Sequence, residues 1–173
     1  MEKKEEFIFI MGDSKVIKIL NLDITILSEF LAKAKKSTFA RGGNQIESSR
    51  KGSIDFLFQE GDLTYRDSYF GGAYDIGQEI VWQNDKPIWG MNYMGGMKEE
   101  YQHLAKQTFN FLKKCLKLVD SSMPFRGPKN YQEGDFEYFN EVEGDVTRFS
   151  GLEKISFRGE EIYKRIYHGG LIK

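Results

Sequence analysis

The chain has 173 residues, with 25 lysines and arginines against 26 aspartates and glutamates and a formal net charge of −1 at pH 7. That balance excludes the strongly basic surface with which proteins attract nucleic-acid phosphates, so no direct nucleic acid binding is expected. A single cysteine, Cys115, excludes an internal disulfide and a cysteine-based zinc site, and it favours a reducing, cytoplasmic compartment.

Residues 1–22 are predicted to form an N-terminal arm ahead of the folded domain. Their longest apolar run, Phe7 to Met11, has five residues. A signal peptide needs about 7–15 apolar residues and a membrane span needs about 20, so we expect neither a leader nor membrane association. The arm is interpreted either as an edge strand or as a poorly ordered segment.

A first helix is predicted to begin after Asp23, whose side chain is suited to cap the first turn. Apolar residues then recur at helical spacing, at Ile24, Leu27, Leu31 and Ala34. A polar loop at 37–53 follows. At about 17 residues it exceeds the usual connection length, and long loops are often functional.

Two sets of four antiparallel strands are predicted, one before and one after a second helix. Alternating apolar residues and turn signals place them at about 54–58, 62–70, 74–83, 87–94, 129–133, 135–142, 145–157 (with an interruption at Gly151 left open) and 161–168. Gly95-Gly96 is expected to end the first set. An apolar stripe from Tyr101 to Val119 then predicts a helix of about five turns. Cys115 lies on this stripe as a buried, inert thiol, whereas His103 lies off it and faces solvent.

The order of helix, four strands, helix and four strands prompts a comparison of the chain with itself. Residues 59–71 (QEGDLTYRDSYFG) and 132–144 (QEGDFEYFNEVEG) are identical at six of thirteen positions. This favours two α-β-β-β-β repeats, at about 23–96 and 97–173, in a single α+β domain over 23–173. The repeats would share one curved antiparallel sheet with the helices packed on one face, and the groove between them is the default ligand site. The alternative is that two hairpins converged on the same turn chemistry.

Several segments in combination resemble a known bacterial family, the DUF5680 domain. They are SSRKGSIDFLFQEGDLTYRDSYFGG (48–72), EIVWQNDKPIWGMNYMGG (79–96), MPFRGP (123–128) and YHGGLIK (167–173). The resemblance covers about 25–173. Members of this family occur alone or behind an N-terminal helix-turn-helix of the XRE regulator type, and no activity is assigned to them. The resemblance therefore implies a regulatory context without a mechanism. Because 22 residues are too few for a helix-turn-helix, direct DNA binding is not expected here.

Guanidinium groups and aromatic side chains are the candidate ligand contacts. Arg41 and Arg50 lie in the long polar loop, and Arg126 is their expected counterpart in the second half, together suited to a carboxylate or phosphate. The alternative is that the loop is only a surface loop of mixed charge. Residues 89, 91 and 93 share one strand face, while Asn92 lies on the other. Core packing is the alternative explanation for the aromatic residues. The full candidate set is Arg41, Arg50, Asp67, Tyr69, Trp82, Trp89, Asn92, Tyr93, Arg126 and His168.

The main functional hypothesis is an effector-binding or sensor module, associated with transcriptional regulation, that binds a small anionic or aromatic ligand. No cofactor or metal is expected, because no Walker or dinucleotide motif is present and the two acid-Gly-acid stretches are typical of hairpin turns. An enzyme in which Asp67 and His168 act as acid and base is one alternative. A protein-interaction domain, forming a homodimer through an exposed aromatic face, is the other.

Overall fold

The structure is a computed structural model, and it describes residues 23–38 and 45–173. The predicted N-terminal arm and Arg41 lie outside the described residues. Within the described ranges the chain forms two α-helices and one nine-stranded antiparallel sheet, which confirms the α+β class. Neither of these helices has the length and apolar character needed to cross a membrane.

The elements follow one another in the expected order. Helix α1 spans Ile24–Ser37, and α2 spans Ala105–Leu116 after a 3₁₀ turn at Glu99–Leu104. The Asp23 carboxylate caps α1 as predicted, accepting a hydrogen bond of 2.8 Å from the Thr25 N–H. The strands are β1 Gln45–Ile46, β2 Ile54–Glu60, β3 Leu63–Gly71, β4 Tyr74–Gln83, β5 Lys86–Met97, β6 Asn130–Glu133, β7 Phe136–Asp145, β8 Arg148–Phe157 and β9 Glu160–Leu171.

Four details of the predicted elements were wrong. The second helix is shorter than its apolar stripe, because the stripe begins in the 3₁₀ turn and continues past Leu116. The long polar loop contains a two-residue strand, β1, that pairs with β2. Strand β8 begins at Arg148 rather than at 145 and runs through Gly151 without interruption.

The fourth correction concerns Gly95 and Gly96, which do not end a strand but lie within β5. A Cβ on Gly95 would sit 2.3 Å from the Lys164 carbonyl oxygen, and one on Gly96 would sit 2.2 Å from that of Ala73. Neither position has room for a side chain, because the backbones of both neighbouring strands pass close to β5 here. The glycine doublet therefore lets β5 continue where neighbouring backbone passes close to it.

The strand order is β1-β2-β3-β4-β5-β9-β8-β7-β6. Every neighbouring pair except one is consecutive in the chain. The exception is the pairing of β5 with β9 at the centre of the sheet, which we call the seam. In the seam Tyr93 faces Tyr167 directly. The sheet is thus two meanders joined along one pair of strands.

Two apolar clusters lie against the sheet. The first combines Leu27, Phe30, Leu31 and Ala34 of α1 with sheet residues including Tyr65, Val81, Trp89 and Tyr93. The second combines Phe111, Leu112, Cys115 and Leu116 of α2 with sheet residues including Tyr138, Ile155 and Tyr163. The strand register puts all of these sheet residues on one face, here called the inner face. The alternate residues, such as Asn92, Met94 and His168, form the outer face and are exposed.

Candidate functional site

Charged side chains lie among the apolar residues at the centre of the inner face. Asp67 of β3 and Glu79 of β4 are directly opposite one another in the strand register. Lys35, near the end of α1, forms an ion pair with Glu79. All three residues are at least nine-tenths buried. Burial of an ion pair costs more desolvation free energy than it returns unless the geometry is very good, so this cluster is a candidate functional site.

Tyr93 links the seam to this cluster. It lies on β5, two strands away from Asp67, and its hydroxyl donates a hydrogen bond of 2.7 Å to Asp67 Oδ1. The ring crosses the intervening strand above Gly77, where a Cβ would lie 2.3 Å from the ring Cζ. The absence of a side chain at Gly77 therefore lets Tyr93 reach Asp67.

The second half contains a matching contact. The Tyr167 hydroxyl donates a hydrogen bond of 2.6 Å to Asn140 Oδ1, and its ring crosses Gly151, where a Cβ would lie 2.2 Å from the ring Cζ. Asn140 also donates through Nδ2 to the Gly127 carbonyl at 2.9 Å. The tyrosine–glycine–amide contact of this half thus corresponds to the tyrosine–glycine–carboxyl contact of the first half.

Glu153 is the central acceptor of the second half and is fully buried. The Arg126 guanidinium donates to both of its carboxylate oxygens, at 3.2 Å and 2.9 Å. The Tyr138 and Tyr163 hydroxyls donate to it at 2.7 Å and 3.0 Å. Burial alone would raise the pKa of Glu153, but the positive charges of Arg126 and Arg165 and these hydrogen bonds outweigh it and hold the pKa below its usual value.

A third ion pair spans the seam. Arg165 of β9 donates through Nη2 to both oxygens of Asp75 on β4, each at 2.6 Å. Its guanidinium lies 4.9 Å from the centre of the Tyr93 ring and 5.6 Å from that of Tyr163. In the part of the chain that the structure describes, Arg165 Nε is the only buried side-chain nitrogen or oxygen without a hydrogen-bond partner.

Asp67 differs electrostatically from the other three carboxylates described on the inner face. Glu79, Glu153 and Asp75 each form an ion pair, with Lys35, Arg126 and Arg165 respectively. No salt bridge to Asp67 occurs among the described residues, and its hydrogen bond comes from the neutral Tyr93 hydroxyl. Burial, reinforced by the negative charge of Glu79, raises the pKa of Asp67 to about 7. Its carboxyl group therefore titrates near neutral pH.

A small cavity of about 20 Å³ opens at this position. One wall comes from the first half, with Lys35, Tyr65, Asp67 and Glu79. The facing wall belongs to the second half and consists of Leu116, Val119, Phe125 and Arg126. The cavity therefore lies at the junction of the two halves, where the sequence predicts the ligand site.

A larger groove of about 430 Å³ lies over β6, β7 and β8, with Glu137, Phe139 and Lys154 among its lining residues. The charged side chains lining it are solvent-accessible, and Lys154 already forms a salt bridge to Glu161. Because this groove contains no buried charged group, its chemistry is less distinctive than that of the small cavity.

Substitution of alanine for Gly77 or Gly151 is expected to displace the tyrosine ring above it. The added Cβ overlaps the ring of Tyr93 or Tyr167, so the hydroxyl loses its contact with Asp67 or Asn140, at a cost of about 1–3 kcal/mol in unfolding free energy. Urea denaturation measures the loss. Gly72→Ala is the matched control, because a Cβ there meets no atom within 4 Å. Equal stability of all three variants would contradict the proposed role of these glycines.

Five predicted site residues lie on the inner face. Asp67, Tyr93 and Arg126 are buried near the cavity. Trp89 is fully buried, and its indole N–H donates to the Val146 carbonyl at 3.0 Å. Tyr69 is half-buried, and its ring stacks on that of Phe56 with centres 6.4 Å apart. Trp89 and Tyr69 therefore have packing roles in this structure.

Four other predicted residues lie on the outer face. Arg50, Asn92 and His168 are exposed, and Trp82 is half-buried beside an irregularity in the β4–β5 pairing. Because Asp67 and His168 lie on opposite faces, they do not form the acid–base pair of the enzyme hypothesis. Arg50 and Arg126 are likewise on opposite faces and cannot bind one small anion together. The tenth residue, Arg41, lies outside the described residues.

The polar groups of the Arg50 loop bind the sheet rather than remaining free. Arg50 Nη2 donates to Ser68 Oγ at 2.9 Å, and its guanidinium lies 4.9 Å from the Phe70 ring centre. Asp55, fully buried on β2, accepts from the Ser49 hydroxyl at 2.5 Å and from the Ser68 hydroxyl at 2.9 Å. Burial would raise the pKa of Asp55, but these hydrogen bonds hold it below its usual value.

The remaining nucleophile and metal-ligand candidates add no site. Cys115 is fully buried, and burial raises the pKa of its thiol to about 12, so it is not a nucleophile at neutral pH. His103 is exposed, in agreement with the sequence-based prediction. Across residues 23–38 and 45–173, no three histidine, cysteine or acidic side chains are grouped so that they could hold a metal ion.

Sequence reasoning missed Lys35, Glu79, Glu153 and Arg165. A signal for them was present. Glu79 alternates in step with Val81, and Glu153 with Ile155, so each acid occupies an inward position of its strand. Lys35 follows Leu31 at four-residue spacing on the buried stripe of α1. A charged residue at a position that strand alternation or helix spacing assigns to the core therefore indicates a buried charge.

The comparisons with known proteins identify a family and name no activity. No curated protein and no solved structure matches the chain. A family model described as a domain of unknown function, DUF5680, matches residues 67–172, which include Asp67, Glu79, Tyr93, Arg126 and Glu153. Because the match covers more than half of the sequence and agrees with the resemblance of its motifs, the chain belongs to the DUF5680 family.

Proposed function

We propose that this chain is a small-molecule-binding module whose ligand presents a positively charged group, such as an ammonium, to Asp67 in the cavity between the two halves. The observation that supports this most directly is the pairing of charges. Each buried cation of the inner face has its own carboxylate, and Asp67 is the buried carboxylate left over. A positively charged ligand group beside Asp67 would give this carboxylate an ion-pair partner as well.

The position equivalent to Asp67 supports the same proposal. In the second half Asn140 is neutral, and its amide uses both its oxygen and its nitrogen in hydrogen bonds to protein groups. An amide at Asp67 would satisfy the structure equally well without placing a carboxyl in the core. A buried acid at this position lowers the stability of the folded state, and destabilising residues of this kind are typical of binding and catalytic sites.

The size of the cavity limits what enters it. Its volume of about 20 Å³ exceeds the ~10–15 Å³ that holds one water molecule and is far below the ~300–1,000 Å³ of a pocket for a whole drug-sized ligand. An ammonium group is about as large as water. The proposal is therefore that the cavity receives the charged head group and that the rest of the ligand lies outside it.

We also infer that the two halves arose by duplication, each an α-β-β-β-β unit with its helix on the inner face. The mirrored strand order about the seam and the facing Tyr93 and Tyr167 support this. The recurring tyrosine–glycine contacts support it further. A sensing role in transcriptional regulation is an extension of the proposal and rests on the resemblance to domains that follow a helix-turn-helix.

Methylammonium and ethylammonium are expected to raise the melting temperature of the protein at pH 8, whereas methanol and acetate are not. A ligand that binds only the folded state stabilises it by mass action. Below pH 7 the ligand must displace the Asp67 proton. The apparent affinity should therefore increase about tenfold per pH unit up to pH 7 and then level off. Thermal-shift titrations from pH 5 to pH 9 measure both effects.

Asp67→Asn should abolish the stabilisation by both cations and its dependence on pH. Glu137→Gln is the matched control, since it removes the same charge from an exposed position on the outer face and should leave binding unchanged. Stabilisation by acetate instead of the cations would favour the anionic-ligand hypothesis. Equal responses of Asp67→Asn and the unmodified protein to the cations would contradict the proposed site.

A further inference from the structure

An unbroken row of apolar side chains crosses the outer face. Its members are direct cross-strand partners on five adjacent strands, namely Phe70 (β3), Ile76 (β4), Met94 (β5), Ile166 (β9) and Leu152 (β8). The three central side chains, Ile76, Met94 and Ile166, are 54%, 43% and 56% exposed. Single exposed apolar residues are ordinary, but a contiguous patch of them indicates an interaction surface.

The rows that flank this one differ in polarity. One adjacent row is polar and consists of Gln78, Asn92, His168 and Ser150. The row on the other side consists of Lys154, Lys164, Gly96 and Tyr74, of which Tyr74 is 53% exposed. On β9 and β8 the apolar surface is therefore a narrow band between polar residues, a shape that suits one extended segment of polypeptide, and Tyr74 widens it at β4.

We propose that residues Phe7–Met11 of the same chain dock along this row. The segment is the longest apolar run before α1, with the sequence FIFIM. Strands lie about 4.8 Å apart, so the five-strand row is about 19 Å long, and five extended residues at about 3.3 Å each span about 17 Å. The apolar lengths of the segment and of the row therefore match.

The residues between Met11 and α1 are numerous enough for Phe7–Met11 to reach the apolar row. The segment must pass around a sheet edge and reach the centre, which lies about 19 Å from either edge of a nine-stranded sheet, with about 10 Å more for the layer thickness. Residues 12–22 connect Met11 to the capping Asp23 and span up to about 36–40 Å when extended. The second apolar run, 16–20, is only two residues from Asp23, so it cannot reach the row.

Disulfide trapping in the full-length chain tests the proposal. In an extended segment alternate side chains point to opposite sides, so Phe9→Cys and Ile8→Cys are each combined with Met94→Cys and oxidised at low protein concentration. Native Cys115 is fully buried and does not interfere. One of the two pairs should form an intramolecular disulfide at least tenfold faster than the control pair of the same arm residue with Lys117→Cys, which is exposed beyond α2.

The alternatives give distinct results. Disulfide-linked dimers that form through Met94→Cys at least tenfold faster than through Lys117→Cys at the same protein concentration would show that a second copy of the chain covers the row and would overturn the proposal. Failure of both arm positions to exceed the control rate would also overturn it. A supporting result further requires that circular dichroism of each reduced variant match that of the unmodified protein.

Discussion

Replacement of Glu153 by alanine is expected to lower the free energy of unfolding by about 3–5 kcal/mol, the range for removing one partner of a buried ion pair. The substitution leaves the Arg126 guanidinium buried without its carboxylate. It also removes the acceptor for the Tyr138 and Tyr163 hydroxyls. Since small domains have only about 5–15 kcal/mol of stability, this variant should be partly unfolded at 37 °C. Urea denaturation followed by circular dichroism measures the change.

Two further variants separate the charge of Glu153 from its packing. Glu153→Gln keeps the shape and one acceptor oxygen, so it should lose less stability than the alanine variant. Glu137→Ala, at an exposed position of neighbouring β7, should change stability by no more than about 0.5 kcal/mol. A loss below 1 kcal/mol in Glu153→Ala would mean that water or a rearranged side chain satisfies Arg126, and the described network would be wrong.

Asp67→Asn is expected to have the opposite effect and to stabilise the protein above pH 7. The folded-state pKa of Asp67, about 7, lies above the unfolded value of about 3.9. The folded state therefore binds more protons between these values, and the unmodified protein loses stability as the pH rises from 4 through 7. Three pKa units correspond to about 4 kcal/mol, so the variant should gain on the order of 3–4 kcal/mol at pH 8 and little at pH 4.

The matched comparison is Asp55→Asn. Asp55 is equally buried, but its hydrogen bonds hold the pKa below the usual value. Its ionised form therefore stabilises the fold above the unfolded pKa, and Asp55→Asn should be destabilising at pH 8. Denaturation series at pH 4, 6 and 8 measure the change in unfolding free energy of each variant, which should be a gain for Asp67→Asn and a loss for Asp55→Asn at pH 8. A destabilised Asp67→Asn at pH 8 would mean that Asp67 already has a cation partner.

Together with the binding titrations, Asp67→Asn separates stability from ligand binding. The proposed module should become more stable and lose methylammonium binding through the same substitution, which is a known form of the trade-off between stability and activity. Asp67→Asn could prove more stable at pH 8 while the unmodified protein does not bind the cations. That combination would support the raised pKa of Asp67 and contradict the proposed function.

Most of the fold was predictable from local patterns. Alternation and turn residues located all eight longer strands to within a few residues, and the Asp23 cap located the start of α1. The errors arose where one sequence pattern is compatible with two backbone conformations. Apolar spacing from Tyr101 onward is compatible with a 3₁₀ turn as well as with an α-helix. A glycine doublet can end a strand or permit a close neighbouring strand, and only the structure shows the second case at Gly95.

The candidate site was only partly predictable, because its charged pairs connect distant positions. Lys35 and Glu79 are 44 residues apart, and Arg165 and Asp75 are 90 apart. Sequence reasoning selected Asp67, Tyr93 and Arg126 for their chemistry but grouped them with Arg50 and His168 from the opposite face. Strand parity separates these groups only after the register is known. The face on which each residue lies was therefore the missing information.

The seam has a consequence for how the protein folds. Each meander can form from contacts between consecutive strands, whereas the seam joins positions 74 residues apart, such as Tyr93 and Tyr167. Long-range pairings form slowly because the intervening chain must first be ordered. Until β9 arrives, the 12-residue strand β5 is an open edge beside Trp89, Met91 and Tyr93. Such edges promote aggregation of folding intermediates. In the finished sheet, the short strands β1 and β6 become the edges instead.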